Sequence, residues 1–237
     1  MVTVHFVARS HPGLVRDHNE DSHAESTRLL MVADGVGGEA AGEVASALAV
    51  AAFTALTDPG TTIDDPAGRL RDAMAAANHS IADSVREHPE QHGMATTATV
   101  LFFGEDVHLA HVGDSRAYRW RGGELTRLSR DDSYVQDLVD EGALDPEEVA
   151  WHPYRSVVTK VLQGHPVEVA VTKWRPEPGD RYLVCSDGLT DYVSEEIVAG
   201  MLSSGDDPAA VADGLVAATL AAGAPDNVTV LLGDVEH

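Results

Sequence analysis

The stretch Leu29-Leu30-Met31-Val32-Ala33-Asp34-Gly35-Val36-Gly37-Gly38 runs from an uninterrupted apolar segment straight into an acid and a cluster of glycines. The apolar residues read as a strand, and Asp34-Gly35 as the point where the chain leaves a sheet. The same ending recurs. Leu109–Gly113 leads into Asp114-Ser115, Tyr182–Ser186 leads into Asp187-Gly188, and Pro225-Asp226-Asn227 stands just before the run Val228–Gly233. A single Asp-Gly after a strand is an ordinary turn. Four acids at strand ends form a group, and carboxylates gathered at one sheet edge repel one another unless a cation sits among them. With no obvious histidine pair and no cysteine pair beside them, such hard oxygen donors select Mg²⁺ or Mn²⁺ over zinc or copper. Gly35 adds to this, because a residue without Cβ lets its carbonyl approach a metal closely.

Working outward, further strands are expected at Val2–Ala8, Thr97–Phe103, Val107–Val112, Ala117–Arg121, Val167–Lys173 and Arg181–Ser186. Two Ala-rich stretches, Gly42–Leu56 and Pro66–Glu87, read as helices. In the second, Leu70, Met74, Ala77 and Ile81 fall on one face, with Asp65 as N-cap and Pro66 at the first helical position. Two more helices are expected near Ser194–Leu202 and Pro208–Ala222. A regular βαβα alternation is missing, so the order favours an α+β layering with sheets packed together and helices outside. Ser129–Gly164 carries short helical patches at Tyr134–Asp140 and Pro146–Trp151, broken by Gly142, Pro153 and Gly164. It reads as an excursion from the sheets of the kind that forms lids and binding loops.

The 237 residues include 39 Asp and Glu against 16 Lys and Arg, a formal net charge of −23. That excludes a phosphate-backbone binder, which needs clustered cations, and disfavours anionic lipid surfaces for the same reason. With 43% hydrophobic residues the chain can bury a large core, and no linker or internal repeat divides it. A single domain over 1–237 is the simplest reading. The one cysteine, Cys185, forms no intrachain disulfide and reads as a core residue. No basic leader or long apolar run appears, so a cytoplasmic chain without membrane contact is expected. His108 and His111, three apart on a strand, point to opposite faces and form no metal pair.

The segment Arg16-Asp17-His18-Asn19-Glu20-Asp21 supplies a cation beside paired acids. A guanidinium fork suits phosphate oxygens, while Glu20 and Asp21 could orient metal-bound waters. Metal with arginine points to phosphate chemistry. Taken with Asp34-Gly35-Val36-Gly37-Gly38, Ala41-Gly42-Glu43, Gly93-Met94-Ala95-Thr96-Thr97, Val112-Gly113-Asp114-Ser115-Arg116, Ser186-Asp187-Gly188-Leu189 and Pro225-Asp226-Asn227-Val228-Thr229, the order of motifs resembles the metal-dependent protein phosphatases. The chain is similar to a bacterial catalytic domain of the protein phosphatase 2C type from about Ser10 to Val235.

That resemblance implies a four-layer αββα sandwich, two antiparallel sheets flanked by helix pairs, with a dinuclear Mn²⁺ or Mg²⁺ centre at one edge. By motif position Asp34 would bridge both metals, Asp187 and Asp226 would hold one, and the Gly35 carbonyl would hold the other. Asp114, helped by Asp187, matches a ligand of a third metal. Glu20, Asp21, Ser115 and Asn227 would stand behind these ligands. Arg16 would hold the phosphate of a phosphoserine or phosphothreonine in a protein phosphorylated by a Ser/Thr kinase. Residues 129–164 would be the family's flap, with Asp131, Asp132, Arg155 and Lys160 as candidate substrate contacts. Thr96 and Thr97 match the family, with strand packing as their expected role. The chain departs from its relatives at Val36 and Glu39, where family members carry a histidine able to protonate the leaving group. Alternatives are a phosphatase of sigma-factor regulators and a pseudophosphatase binding module, although Asp34, Asp187 and Asp226 are all retained.

Overall fold

The structure, a computed structural model, describes residues 3–37, 41–58 and 60–236; the expectation concerning Glu39 lies outside the described residues. The chain opens with strands β1 (Val4–His11), β2 (Ser22–Ser26), β3 (Leu29–Ala33) and β4 (Gly35–Val36), then helices α1 (Gly42–Ala52), α2 (Thr54–Thr57) and α3 (Pro66–Glu87). Strands β5 (Ala95–Thr96), β6 (Ala98–Phe103), β7 (Val107–Val112), β8 (Arg116–Arg121) and β9 (Glu124–Arg127) follow. The flap holds helix α4 (Tyr134–Asp140) and a 3-10 turn at Pro146–Trp151. Strands β10 (Val171–Trp174) and β11 (Arg181–Cys185), helices α5 (Asp187–Thr190), α6 (Glu195–Leu202) and α7 (Pro208–Ala221), and strand β12 (Val228–Val235) complete it.

Two five-stranded sheets, ordered β1-β12-β11-β8-β9 and β10-β7-β6-β3-β2, are antiparallel at each pairing. Successive side chains on a strand face opposite ways, so each central strand feeds two cores. On β3, Leu29, Met31 and Ala33 pack beneath α1 and α3 with Ala45, Ala49, Leu70 and Met74. Leu30 and Val32 turn inward to meet Tyr182, Val184 and Leu231 of the other sheet. On the far side Leu183, Cys185, Val230 and Leu232 lie under Val198, Val211 and Leu215 of α6 and α7. A strand buried on both faces needs apolar residues throughout, which is why β3 shows no alternation. The result is an αββα sandwich.

Helix α3 spans the expected residues, and the Asp65 side chain accepts the Gly68 N–H at 2.9 Å. The expected helix Gly42–Leu56 is instead broken at Phe53, whose fully buried ring fills the core between α1 and α2. The first strand begins at Val4 and runs on to His11, because its outer half pairs with Val228–Leu231. The strand expected at Val167–Lys173 begins only at Val171; Val167 and Val169 pack against the outer core without sheet pairing. Strands β2, β4, β5 and β9 are additions to the expected set. The sequence of β2, Ser22–Ser26, is largely polar because it is an edge strand with one face in water. The β8–β9 hairpin turns on Gly122 and Gly123, both with positive φ, which is the local signal that locates it.

At the end of the sandwich remote from Asp34, a polar network joins the sheets. Trp174 Nε1 donates to Tyr182 Oη at 2.9 Å, Tyr182 donates to Asp180 at 2.9 Å, and Arg121 grips the same carboxylate through two bonds of 2.5 and 2.6 Å. Burial pushes the Asp180 pKa up, but the bonds from Arg121, the Glu177 N–H and Tyr182 outweigh it and hold it below the ordinary carboxylate value. A depressed native pKa gives stability that is present above the unfolded value of about 3.9 and lost as pH falls through the native one. Asp180→Asn should therefore lower stability at pH 7 by about 2–4 kcal/mol. In urea titrations across pH 3–7 the deficit relative to the parent protein should shrink below about pH 4.

Candidate active site

The topology brings the four aspartates to one edge. Asp34 directly follows β3, Asp114 lies two residues after β7, Asp187 opens α5 after β11, and Asp226 stands two residues before β12. Strands β3 and β7 run the same way, while β11 and β12 are antiparallel neighbours, so the exit of one adjoins the entry of the other. All four line a cavity of about 250 Å³ together with Arg16, Glu20, Gly35 and, from the flap, Ser156 and Val158.

Close backbone approaches and long-range hydrogen bonds hold these residues in place. A Cβ on Gly35 would strike the Gly42 carbonyl and lie 2.6 Å from the Glu20 carbonyl. A Cβ on Gly188 would collide with the Asn227 carbonyl. The peptide of Asp34 is held on both sides: its N–H donates to Thr97 Oγ1 and its carbonyl accepts from Thr96 Oγ1, each at 2.9 Å. Thr96 and Thr97 thus do more than pack the strand. Ser115 is buried and bonds Thr97 Oγ1 at 2.7 Å, linking the Asp114 loop to the Asp34 loop. Asn227 clamps the Arg16 loop: its Nδ2 donates to the carbonyls of Pro12 and His18 at 3.0 and 2.9 Å, and its Oδ1 accepts the Glu20 N–H at 2.8 Å.

Asp21 is buried behind the cavity. One of its oxygens, Oδ2, accepts from Ser186 Oγ at 2.8 Å and Thr229 Oγ1 at 2.7 Å. Its other oxygen, Oδ1, is buried without a hydrogen-bond partner among the described residues. Burial, opposed by those two bonds and aided by Asp226 and Glu20, pushes its pKa up to about 6. Asp34 and Asp187 are raised well above the ordinary value, first by burial and then by neighbouring carboxylates. Asp114 is pushed up to about 7 by burial and by Asp131. Glu20 is raised by burial and by Glu43.

Among the described residues no group of three or more His, Cys, Asp or Glu side chains closes into a ligand set around a common point. The fit to a divalent ion rests instead on donor chemistry and the orphaned oxygen. The cavity offers only oxygen donors, its acids are crowded enough to resist ionising together, and Asp21 Oδ1 is a buried acceptor without a donor. These features suit a hard cation with its waters.

Several placements differ from expectation. Arg16 is at the rim, but its Nη2 is paired with Asp226 Oδ2 at 2.8 Å, so one bond occupies both a candidate phosphate ligand and a candidate metal ligand. Of the four flap candidates, Asp131 and Asp132 are buried. Asp131 is buried between Arg116, at 2.8 Å, and Arg127. Asp132 is buried, accepts the Gly113 N–H at 3.2 Å and pairs with Lys160 at 2.9 Å. Asp131 and Asp132 tie the start of the flap to the sandwich, and Lys160 joins the flap's far end to its start through Asp132. Of the four, Arg155 is exposed with no ion pair among the described residues, and its charge acts on Asp191. It lines a neighbouring cavity of about 370 Å³ that shares Asp114 and Asp187 with the first. Asp191, in the same cavity, and the pair Ser186 and Thr229 join the site without having been singled out from sequence. Ser186 and Thr229 lie inside quoted motifs, and Asp191 sits one helical turn after Asp187, with its N–H on the Asp187 carbonyl at 2.8 Å.

Comparison with known proteins agrees with this architecture. Residues 14–212 match the family described as protein phosphatase 2C, and the chain belongs to that family. It is 47% identical over 239 residues to the serine/threonine protein phosphatase PstP of Mycobacterium tuberculosis H37Rv. That alignment covers 99% of this chain but 45% of the relative, so the chain spans about half the length of that protein. It is 31% identical to the serine/threonine phosphatase stp of Listeria monocytogenes EGD-e, over 97% of this chain and 95% of the relative. The crystal structure of the PstP catalytic domain in complex with two manganese ions superposes with a TM-score of 0.94 at 44% identity, over all of both chains.

Asn227→Ala would remove three bonds that hold the Arg16 loop. It should cost about 2–4 kcal/mol, seen as a fall in Tm of roughly 5–15 °C in calorimetry.

Proposed function

We propose that this chain is one catalytic domain that hydrolyses phosphoserine and phosphothreonine monoesters in cytoplasmic phosphoproteins. The observation that carries this reading is the convergence of Asp34, Asp114, Asp187, Asp226 and Arg16 on one cavity at the sandwich edge. The names of the relatives and the manganese in the PstP structure support it.

Asp34, Asp187, Asp226 and the Gly35 carbonyl would hold two Mn²⁺ or Mg²⁺ ions, and Asp114 with Asp187 would hold a third. Ions bound there supply a water acidic enough to yield a nucleophile near neutral pH. Glu20 and Asp21 orient water through their carboxylates, and Ser186 and Thr229 keep Asp21 Oδ2 occupied so that Oδ1 is left for this task. Arg16 leaves Asp226 to bind the nonbridging oxygens of the phosphoryl group and stabilises the charge that grows on them. Its present bond is half-exposed, so releasing it costs only about 0–1 kcal/mol. Arg155, exposed at the flap beside Asp191, is a further contact for the substrate.

Val36 provides no proton for the leaving group, and Glu39 replaces the histidine of other relatives. Turnover should therefore fall steeply as the leaving-group pKa of phenyl phosphates rises, and a flat dependence would count against this.

The deciding experiment is hydrolysis of a phosphothreonine peptide by metal-stripped protein with EDTA, Mg²⁺ or Mn²⁺. Activity should return with metal and fall by ~100-fold or more in Asp187→Asn. Arg16→Ala should lower kcat/KM by about 100-fold with little change in Tm. Metal binding without turnover would instead favour a binding module.

A further inference from the structure

Large apolar side chains exposed to water are ordinary when scattered and informative when gathered. Among the described residues the exposed ones are Leu14, Val15, Val36, Tyr134, Trp151, Tyr154, Val157 and Ile197. All but Ile197 fall on three segments: the Arg16 loop, the turn after Asp34, and the flap. The same segments supply Arg16, Val36, Ser156 and Val158 to the wall of the 250 Å³ cavity. Val36 itself lines that cavity, Val15 adjoins Arg16, and Val157 lies between Ser156 and Val158 with Tyr154 two residues before Ser156, on a chain whose net charge is −23.

They are not side chains left out by loose packing. The Leu14 N–H donates to the Ala224 carbonyl at 2.8 Å, and the Tyr134 N–H to the Val157 carbonyl at 2.8 Å. The Tyr154 ring meets Tyr134 edge-on at 5.9 Å and His152 at 5.8 Å. Within the flap Val135 is buried and Leu162 joins the core beneath α1 and α3, whereas Trp151 is 87% exposed. Rigid aromatic and aliphatic groups held out in water are suited to bury apolar area in a partner at low entropic cost.

The cavity takes little more than the phosphorylated side chain, and two of the three segments that reach its wall, the Arg16 loop and the flap, carry most of the exposed apolar residues. A molecule that touches both must continue past the bound residue, as an extended polypeptide does. We propose that this rim docks bulky aliphatic or aromatic side chains flanking the phosphorylated residue of a polypeptide substrate. The inference rests on the phosphatase reading above and adds the chemistry that selects among phosphoproteins. Trp151 and Tyr154 on the flap, and Leu14 and Val15 on the Arg16 loop, are the specificity-determining residues.

The test uses two phosphothreonine peptides of equal length and charge, one with Leu and Phe around the phosphothreonine and one with Ser and Gln there. Both are assayed with Mn²⁺ on the parent protein and on Trp151→Ser/Tyr154→Ser and Leu14→Ser/Val15→Ser. The parent should favour the apolar peptide by about tenfold in kcat/KM, the scale of one or two buried side chains. The difference should lie in KM, and each double variant should bring the ratio towards one. Because both peptides meet the same variant, any general loss of activity cancels in the ratio. A parent ratio near one, with p-nitrophenyl phosphate still hydrolysed, overturns this inference alone. Failure to hydrolyse p-nitrophenyl phosphate as well overturns the phosphatase reading and the inference with it. Binding to phosphatidylcholine vesicles that is lost in Trp151→Ser/Tyr154→Ser, with no peptide preference, would assign the rim to a lipid surface and also overturn it.

Discussion

Mutual repulsion among buried carboxylates is the constraint around which this structure is built. Asp21, Asp34, Asp114 and Asp187 are crowded together at one sheet edge, each with a pKa raised by burial and by acids near it. Left to themselves, the loops bearing them would spread apart. They are kept together by groups that carry no charge: the Thr96 and Thr97 hydroxyls on the Asp34 peptide, the glycine contacts at Gly35 and Gly188, and the Asn227 side chain reaching three partners. Neutral donors can fix the backbone without neutralising the carboxylates, and so leave their charge available to a cation.

Behind that edge the two sheets provide the rigidity. Each central strand is buried on both faces, so moving one acid would require moving a strand that touches two cores. The flap is anchored by a different device. Asp131 between Arg116 and Arg127, and Asp132 on Gly113 and Lys160, place ion pairs where the excursion leaves and rejoins the sandwich. Buried carboxylates therefore serve two purposes in one small region: those set against arginine or lysine hold the flap, and those crowded against one another furnish the cavity.

The bond between Arg16 and Asp226 joins these themes. It links the rim to the cavity, and under the proposed function Arg16 exchanges this bond for one to the substrate phosphate. Its half-exposed setting makes that exchange easy, whereas a buried pair such as Arg116 with Asp131 would resist it.

Much of this was legible from the chain alone, for local reasons. The apolar runs of β3, β11 and β12, the acid that ends or precedes each, and the capped amphipathic α3 are set by side-chain period, turn chemistry and the preferences of Asp, Gly and Pro at element ends. Those signals lie within a few residues of one another, and their order pointed to the family and to the aspartates that line the cavity. The tertiary structure alone decided what depends on residues far apart. The polar edge strand β2 is a strand because β3 offers it bonds. Thr96 and Thr97 look like packing residues in a strand, yet their hydroxyls hold the Asp34 peptide, 62 and 63 positions away, which no local pattern could predict. Asp131 and Asp132 look like solvated loop acids in sequence and are buried because Arg116, Arg127 and Gly113 come to meet them. Propensity and period act along the chain, whereas burial and pairing act through space, and only the folded sandwich sets which carboxylates find a partner.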